Sequence, residues 1–246
     1  MPFAAHAPPA AFLRSFTSTL LLVALVCWPG FSRQVSAAER SEYIADFSRG
    51  LDGWHATDGS VWESRKLDDD SYVAAVKGMS AAHRPVHRSP HSILLKKDLV
   101  VGSFTLTAKV KTTQTSQAHR DLCVFFGWQD PEHFYYVHTA EQTDPHANQI
   151  FVVDNRPRAA ITENQDRGTE WGADEWHAIK LVRDVRSGRI EVYFDDMHEP
   201  RKVATDRRFT WGAVGIGTFD DHGFFKDVVI KGETVDKTPL LPPSAK

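Results

Sequence analysis

Cysteine is nearly absent from this 246-residue sequence, which contains only Cys27 and Cys123. Once the N-terminal segment is removed, as argued below, Cys123 stands alone and no intramolecular disulfide can form. Charge of one sign is also lacking: 29 Lys and Arg against 32 Asp and Glu give a formal charge of −3. That balance offers no basic footprint, so a nucleic-acid partner is not expected. No stretch of the mature chain carries the 3.6-residue apolar stripe of an amphipathic helix, which argues against a parallel α/β fold. Internal repeats and domain linkers are missing too, so one domain is expected.

What the sequence does have begins with an export signal. Arg14 supplies a positive flank, residues 20–28 an uncharged apolar run, and residues 35–37 a small-residue cleavage site, the three parts of a secretory signal peptide. The run is too short to span a bilayer with ease, and Val26 stands before Cys27 where a lipid-attachment box needs a small residue. Cleavage of residues 1–37 is therefore expected, giving a secreted or periplasmic product without stable membrane insertion. The remainder carries 27 basic and 32 acidic residues, a formal charge of −5.

From there on the periodicity is two. In "SFTLTAKVK", Phe104, Leu106, Ala108 and Val110 share one face while Thr105, Thr107, Lys109 and Lys111 share the other, as in a half-buried antiparallel strand. "RIEVYFDD" alternates in the same way, "RSG" before it suggests a hairpin, and "QDPEH" places Pro131 in another turn. Many short strands with such turn signals predict an all-β, two-sheet antiparallel sandwich over residues 38–232. The Pro-rich end "KTPLLPPSAK" shows no alternation, so residues 233–246 are expected to form a flexible tail.

The stretch "HFYYVHTAEQTDPHANQIFVV" is the richest in hydrogen-bonding groups. Phe134, Tyr136 and His138 fall on one face of its first strand, with Asp144, His146, Asn148 and Gln149 close to the junction with the next. Sugar recognition needs planar polar groups for hydroxyls and aromatic faces for C–H surfaces, and this segment supplies both. Arg120 and Asp121, at the entry of the strand "LCVFFGW", are candidates for the groove edge. The bland alternative is a sheet surface whose Tyr and His side chains hydrogen-bond locally. Three other patterns carry less. "HRDL" at residues 119–122 copies a kinase tetrad, but Phe126 stands where its Asn belongs. His83, His87 and His91 have a helical spacing that Pro85 and Pro90 deny them, so zinc is not expected. Glu191 and Asp195, four apart along a strand, are the nearest thing to a carboxylate pair.

Taken in order, "DFSRGLDGWHATDGSVWE", "LVVGSFTLTAKVKT", "WHAIKLVRDVRSGRIEVYFDD" and "WGAVGIGTFDDHGFFKDVVIKG" resemble the concanavalin A-like lectin/glucanase superfamily. Within it they are most similar to bacterial secreted laminin G-like and 3-keto-disaccharide hydrolase-like domains. The resemblance implies a jelly roll whose concave sheet forms a groove for polysaccharide or oligosaccharide. It also implies that no cofactor is required, with structural calcium between the terminal strands at Asp46 and Asp227, beside Lys226 where relatives often carry an acid. The alternating acids of family 16 glycoside hydrolases, E-x-D-x-x-E, have no counterpart here. Three readings stay open: an exported, monomeric carbohydrate-binding or carbohydrate-processing module, with hydrolase or lyase chemistry undecided, or a non-catalytic laminin G-like adhesion domain with a protein or cell-surface partner. His138 with Tyr136 keeps the lyase option in play.

Overall fold

The computed structural model describes residues 40–114, 119–164 and 167–244. The expected signal segment, with Arg14, Cys27 and the cleavage site, lies outside the described residues. Fourteen strands follow in chain order: β1 (Arg40–Ile44), β2 (Trp54–Ala56), β3 (Trp62–Lys66), β4 (Tyr72–Lys77), β5 (Ser92–Thr112), β6 (Asp121–Asp130), β7 (His133–Ala140), β8 (Ile150–Asp154), β9 (Ala159–Ala160), β10 (His177–Arg183), β11 (Arg189–Phe194), β12 (Lys202–Thr205), β13 (Gly212–Thr218) and β14 (His222–Thr234). All their pairings are antiparallel. The fold is an all-β jelly-roll sandwich: the alternation predicted the two antiparallel sheets, and the resemblance implied the jelly roll. No helix among the described residues is long and apolar enough to cross a membrane.

β5 joins the two layers. Periodicity marks separate strands at residues 92–96 and 103–111, yet Ser92–Thr112 forms one strand of 21 residues. Its first part pairs with β13, Leu94 opposite Ile216, and its second part sets Leu106 opposite both Leu181 of β10 and Ile230 of β14. One layer therefore runs β3-β4-β14-β5-β10-β11-β12, with β1 also on β14, and the other runs β5-β13-β6-β7-β8-β9. Leu94, Val124, Phe126, Val137, Val152 and Ile216 of the second layer meet Leu106, Val110, Leu181, Val192 and Ile230 of the first in one core. Each such side chain contributes roughly 1.5–3 kcal/mol on burial. Core burial is thus the main support of a domain whose one described cysteine, Cys123, is free.

The second layer is buried on its outer face as well. Ile93, Leu95, Phe125, Trp128, Phe134, Tyr136 and Phe151 form a separate apolar cluster there, with ring centroids 4.3 Å apart for Trp128 and Phe134 and 5.1 Å for Tyr136 and Phe151. Two irregular segments cover it. Residues 78–91 are tied down where Ser80 Oγ donates to Asp58 (2.7 Å) and Ser92 Oγ donates to the Gly78 carbonyl (2.6 Å). The C-terminal segment lies on the same face: Trp128 Nε1 donates to the Leu240 carbonyl (3.1 Å), Leu240 N to Gln129 O (2.7 Å), and Leu241 packs on the cluster. The segment expected as a flexible tail, residues 233–246, begins inside β14. β14 continues to Thr234, and the residues beyond it are held by the backbone bonds of Leu240 and by Leu241, which packs on an apolar face that would otherwise meet water.

Candidate functional site

The expected groove on β7 is closed. Phe134, Tyr136 and His138 do share the outer face, as the alternation required, but they lie under residues 78–91, the C-terminal segment and Arg158, and His138 is only 3% exposed. Arg158 donates to Tyr136 Oη and to the His146 carbonyl, both at 2.8 Å, with its guanidinium 4.6 Å from the Phe151 ring. Asn148 and Gln149 are buried as well. Asn148 adopts φ 55°, accepts from Ala140 N (3.2 Å) and Thr169 Oγ1 (3.3 Å), and donates to Thr143 Oγ1 (2.6 Å). Gln149 Nε2 donates to the Asp144 carbonyl at 3.0 Å. Asp144 and His146 remain at the surface, where Asp144 meets His119 Nε2 at 2.6 Å. The polar groups of this stretch serve each other, which is what the bland alternative described.

Behind them lies a buried cluster of Asp121, Cys123 and His138, whose candidate ligand atoms lie within 4.8 Å of one another. Asp121 accepts from Phe219 N (3.1 Å), Thr218 Oγ1 (3.2 Å) and Cys123 Sγ (3.0 Å). Burial pushes its carboxyl well above the ordinary range; the Cys123 bond works against this and the Asp221 charge adds to it. Burial likewise raises the Cys123 thiol and holds His138 well below its usual value. Without a metal, a neutral imidazole and an un-ionised thiol follow, so no thiolate nucleophile is at hand. The hydrogen bonding agrees. His138 Nδ1 accepts from Asn148 N (3.1 Å), so the ring proton sits on Nε2, the nitrogen that faces Asp121 at 3.7 Å and would have to bind the ion. The donor set does not fit a metal.

Asp46 and Asp227, where the resemblance implies calcium, have separate partners. Asp46 accepts from Ser48 N and Oγ (3.0 and 2.5 Å) and pairs with Arg49 (3.3 Å), while Asp227 faces Lys109 Nζ at 3.5 Å. Neither belongs to the groups of ligand atoms that converge among the described residues. Glu191 and Asp195 are also separated in role. Glu191 accepts from Arg189 Nε (3.2 Å) and Tyr193 Oη (2.9 Å), whereas Asp195 lies past the end of β11 at φ 58° and binds His177.

The open site is at one end of the sandwich. A cavity of about 870 Å³ is framed by Arg120 before β6, Glu141 after β7, residues 167–175, His177 at the start of β10, residues 194–196 and Arg201. Arg120 staples its walls: Nε meets Glu141 Oε2 at 3.0 Å, Nη1 donates to Gln114 O (3.2 Å) and Nη2 to Gly172 O (3.1 Å). Arg201 Nη2 holds Gly168 O at 2.8 Å. Gly168 has φ 102°, and a Cβ there would stand 2.0 Å from the Glu141 carbonyl oxygen, so only glycine lets this wall close. His177 bridges Asp195 Oδ2 (2.8 Å) and the Trp171 carbonyl (2.9 Å). Trp171, 1% exposed, packs edge-on against His177 and Phe194. Its indole Nε1 is buried with no partner among the described residues, an arrangement that costs roughly 1–3 kcal/mol unless something accepts from it. Glu170 and Glu175 line the cavity as exposed carboxylates.

Of the sequence candidates Arg120 and Asp195 line this cavity, while Asn148 supports it through Thr169. His177, Glu141, Glu170, Glu175 and Arg201 were missed, and Trp171 stood among six tryptophans of the mature chain without being singled out. A signal existed in "TEWGADEWH", where two Trp and three acids interrupt the alternation between strands, the composition of a loop that carries function.

No family model matches the chain, and no curated protein does. Solved structures are similar to it. The carbohydrate-binding module CBM66 from Bacillus subtilis superposes with a TM-score of 0.52 at 15% identity, over 74% of this chain and 97% of that one. The winged bean acidic lectin, complexed with methyl-α-D-galactose, gives 0.52 at 11% identity over 80% and 100%. Lectin I-B4 from Griffonia simplicifolia in metal-free form gives 0.51 at 11% identity over 77% and 98%. These similarities establish the concanavalin A-like jelly-roll fold.

Proposed function

We propose that this chain is an exported carbohydrate-binding β-sandwich that holds its glycan in the end cavity. The observation that carries the reading is the end cavity itself, whose walls carry guanidinium, imidazole and carboxylate groups around the buried Trp171. A polyhydroxylated ring engages such donors and acceptors together. A cavity of about 870 Å³ is within the roughly 300–1,000 Å³ of small-ligand sites. Support also comes from the neighbours of the same fold, among them a carbohydrate-binding module and a galactoside-bound lectin. Export rests on the signal-peptide pattern of residues 1–37, and N-terminal sequencing of secreted protein should begin at Ala38 or Glu39.

The test is Glu170→Gln, which keeps the shape of the cavity wall and removes one exposed carboxylate. Calorimetric titration against a panel of neutral and acidic oligosaccharides should show weaker binding than wild type, with a melting temperature that is unchanged or higher. Equal binding by both proteins would remove the cavity from consideration.

A further inference from the structure

We infer that the glycan of the end cavity extends over its lip onto an aromatic row formed by Trp176 and Phe224, so that the ligand is a neutral chain of two or more sugars. This rests on the cavity reading above. Trp176 stands between two residues that line the cavity, Glu175 and His177. Because His177 points inward in β10, its neighbour Trp176 points out of the sheet.

Register continues the row across three strands. Lys111 of β5 is opposite Phe224 of β14, and Phe224 is opposite Ala75 of β4. The Trp176 and Phe224 rings are 6.4 Å apart and inclined by 34°, both half-buried. The other indoles are less suited: Trp54, Trp62, Trp128 and Trp171 are buried in the core or its cover, and Trp211 lies beneath Lys237 on another element.

Charge decides what kind of chain fits. Lys226 and Lys111 lie 4.4 and 5.3 Å from the Trp176 ring, and Arg65 lies 5.2 Å from Phe224. Each is matched by a carboxylate: Lys226 by Asp69 (3.4 Å), Lys111 by Asp174 (2.7 Å) and Arg65 by Glu63 (2.6 Å). A row with balanced charge gives an acidic polysaccharide no net attraction. It does give a neutral sugar ammonium donors and carboxylate acceptors beside two partly exposed rings, and the exposed Glu170 and Glu175 in the cavity repel uronates further.

The experiment compares glucose with cellohexaose, laminarihexaose, maltohexaose and hexagalacturonate on the full mature chain, by calorimetry and tryptophan fluorescence. A neutral hexamer should bind more tightly than the monosaccharide. Trp176→Ala and, separately, Phe224→Ala should weaken the hexamer about tenfold or more, the effect of truncating an aromatic anchor. Monosaccharide binding should not change, and Trp176→Phe should restore most of the loss. Unchanged hexamer affinity in both alanine variants overturns the subsite while leaving the cavity, and tighter binding of hexagalacturonate overturns the neutral chain. Binding of no sugar by the wild-type protein overturns the cavity reading and the subsite with it.

Discussion

Asn148 donates its backbone N–H to Nδ1 of His138 at 3.1 Å, and that bond places the imidazole proton on Nε2. The consequence reaches beyond the pair. A ring whose proton faces the Asp121 carboxyl is a hydrogen-bonding element of the sheet and not a metal ligand. Asn148 meanwhile supports Ala140 and Thr169 with the same side chain. Substituting Asn148 by Ala removes an acceptor from two buried donors at a left-handed position, a loss of about 1–3 kcal/mol. At about 2–4 °C per kcal/mol for a domain of this size, the melting temperature should fall by several degrees. Cobalt titration of wild type should give no thiolate charge-transfer band from Cys123; such a band, or destabilisation by a chelator, would show that the cluster does hold metal.

Stability should decline between pH 7 and 5. His83, His91 and His138 are all held below the ordinary histidine range, first by burial. A histidine whose folded pKa is depressed protonates more readily in the unfolded chain, so its contribution is full above about 6.5 and is lost as pH falls below that value. Asp121, raised by burial, has the opposite slope: it favours the fold at low pH and loses that contribution as pH rises from about 4 through its elevated folded pKa. Over this window three histidines act against one carboxyl. Melting curves should therefore flatten over this window in His91→Gln and steepen in Asp121→Asn, and identical profiles in all three proteins would contradict the assignment.

Cys123 should be inert in the native state. It is fully buried, with its thiol raised by burial and by Asp121, so the reactive thiolate is scarce. Labelling with a disulfide reagent should proceed only as fast as the protein unfolds, and reductant should leave the melting temperature of the monomer where it was. Rapid labelling at neutral pH would mean that the cover over β6 opens.

Removal of residues 238–246 should destabilise the domain. The truncation deletes the acceptor of Trp128 Nε1 and uncovers the outer cluster that Leu241 caps. A loss of about 2–4 kcal/mol is expected from one large apolar contact and one buried hydrogen bond, together with a red shift of Trp128 emission. A urea midpoint equal to that of the full chain would restore the tail to a loosely held end.

The amino-acid order alone determined the architecture, because a period of two with turn residues at short intervals has few solutions other than stacked antiparallel sheets. It also assigned Tyr136 and His138 correctly to one face of β7, since side-chain direction in a strand follows from parity. Parity does not say what lies above that face. Whether Tyr136 meets a sugar or the chain itself depended on segments 78–91 and 238–244, which have no period and whose place is set by which apolar surface remains for them after the sheets form. The same reason hid the end cavity. Arg120, Glu141, Trp171, His177 and Arg201 span more than 80 residues of sequence and share no strand, and only the closing of the jelly roll brings the ends of β5, β6, β7, β10, β11 and β12 around one space.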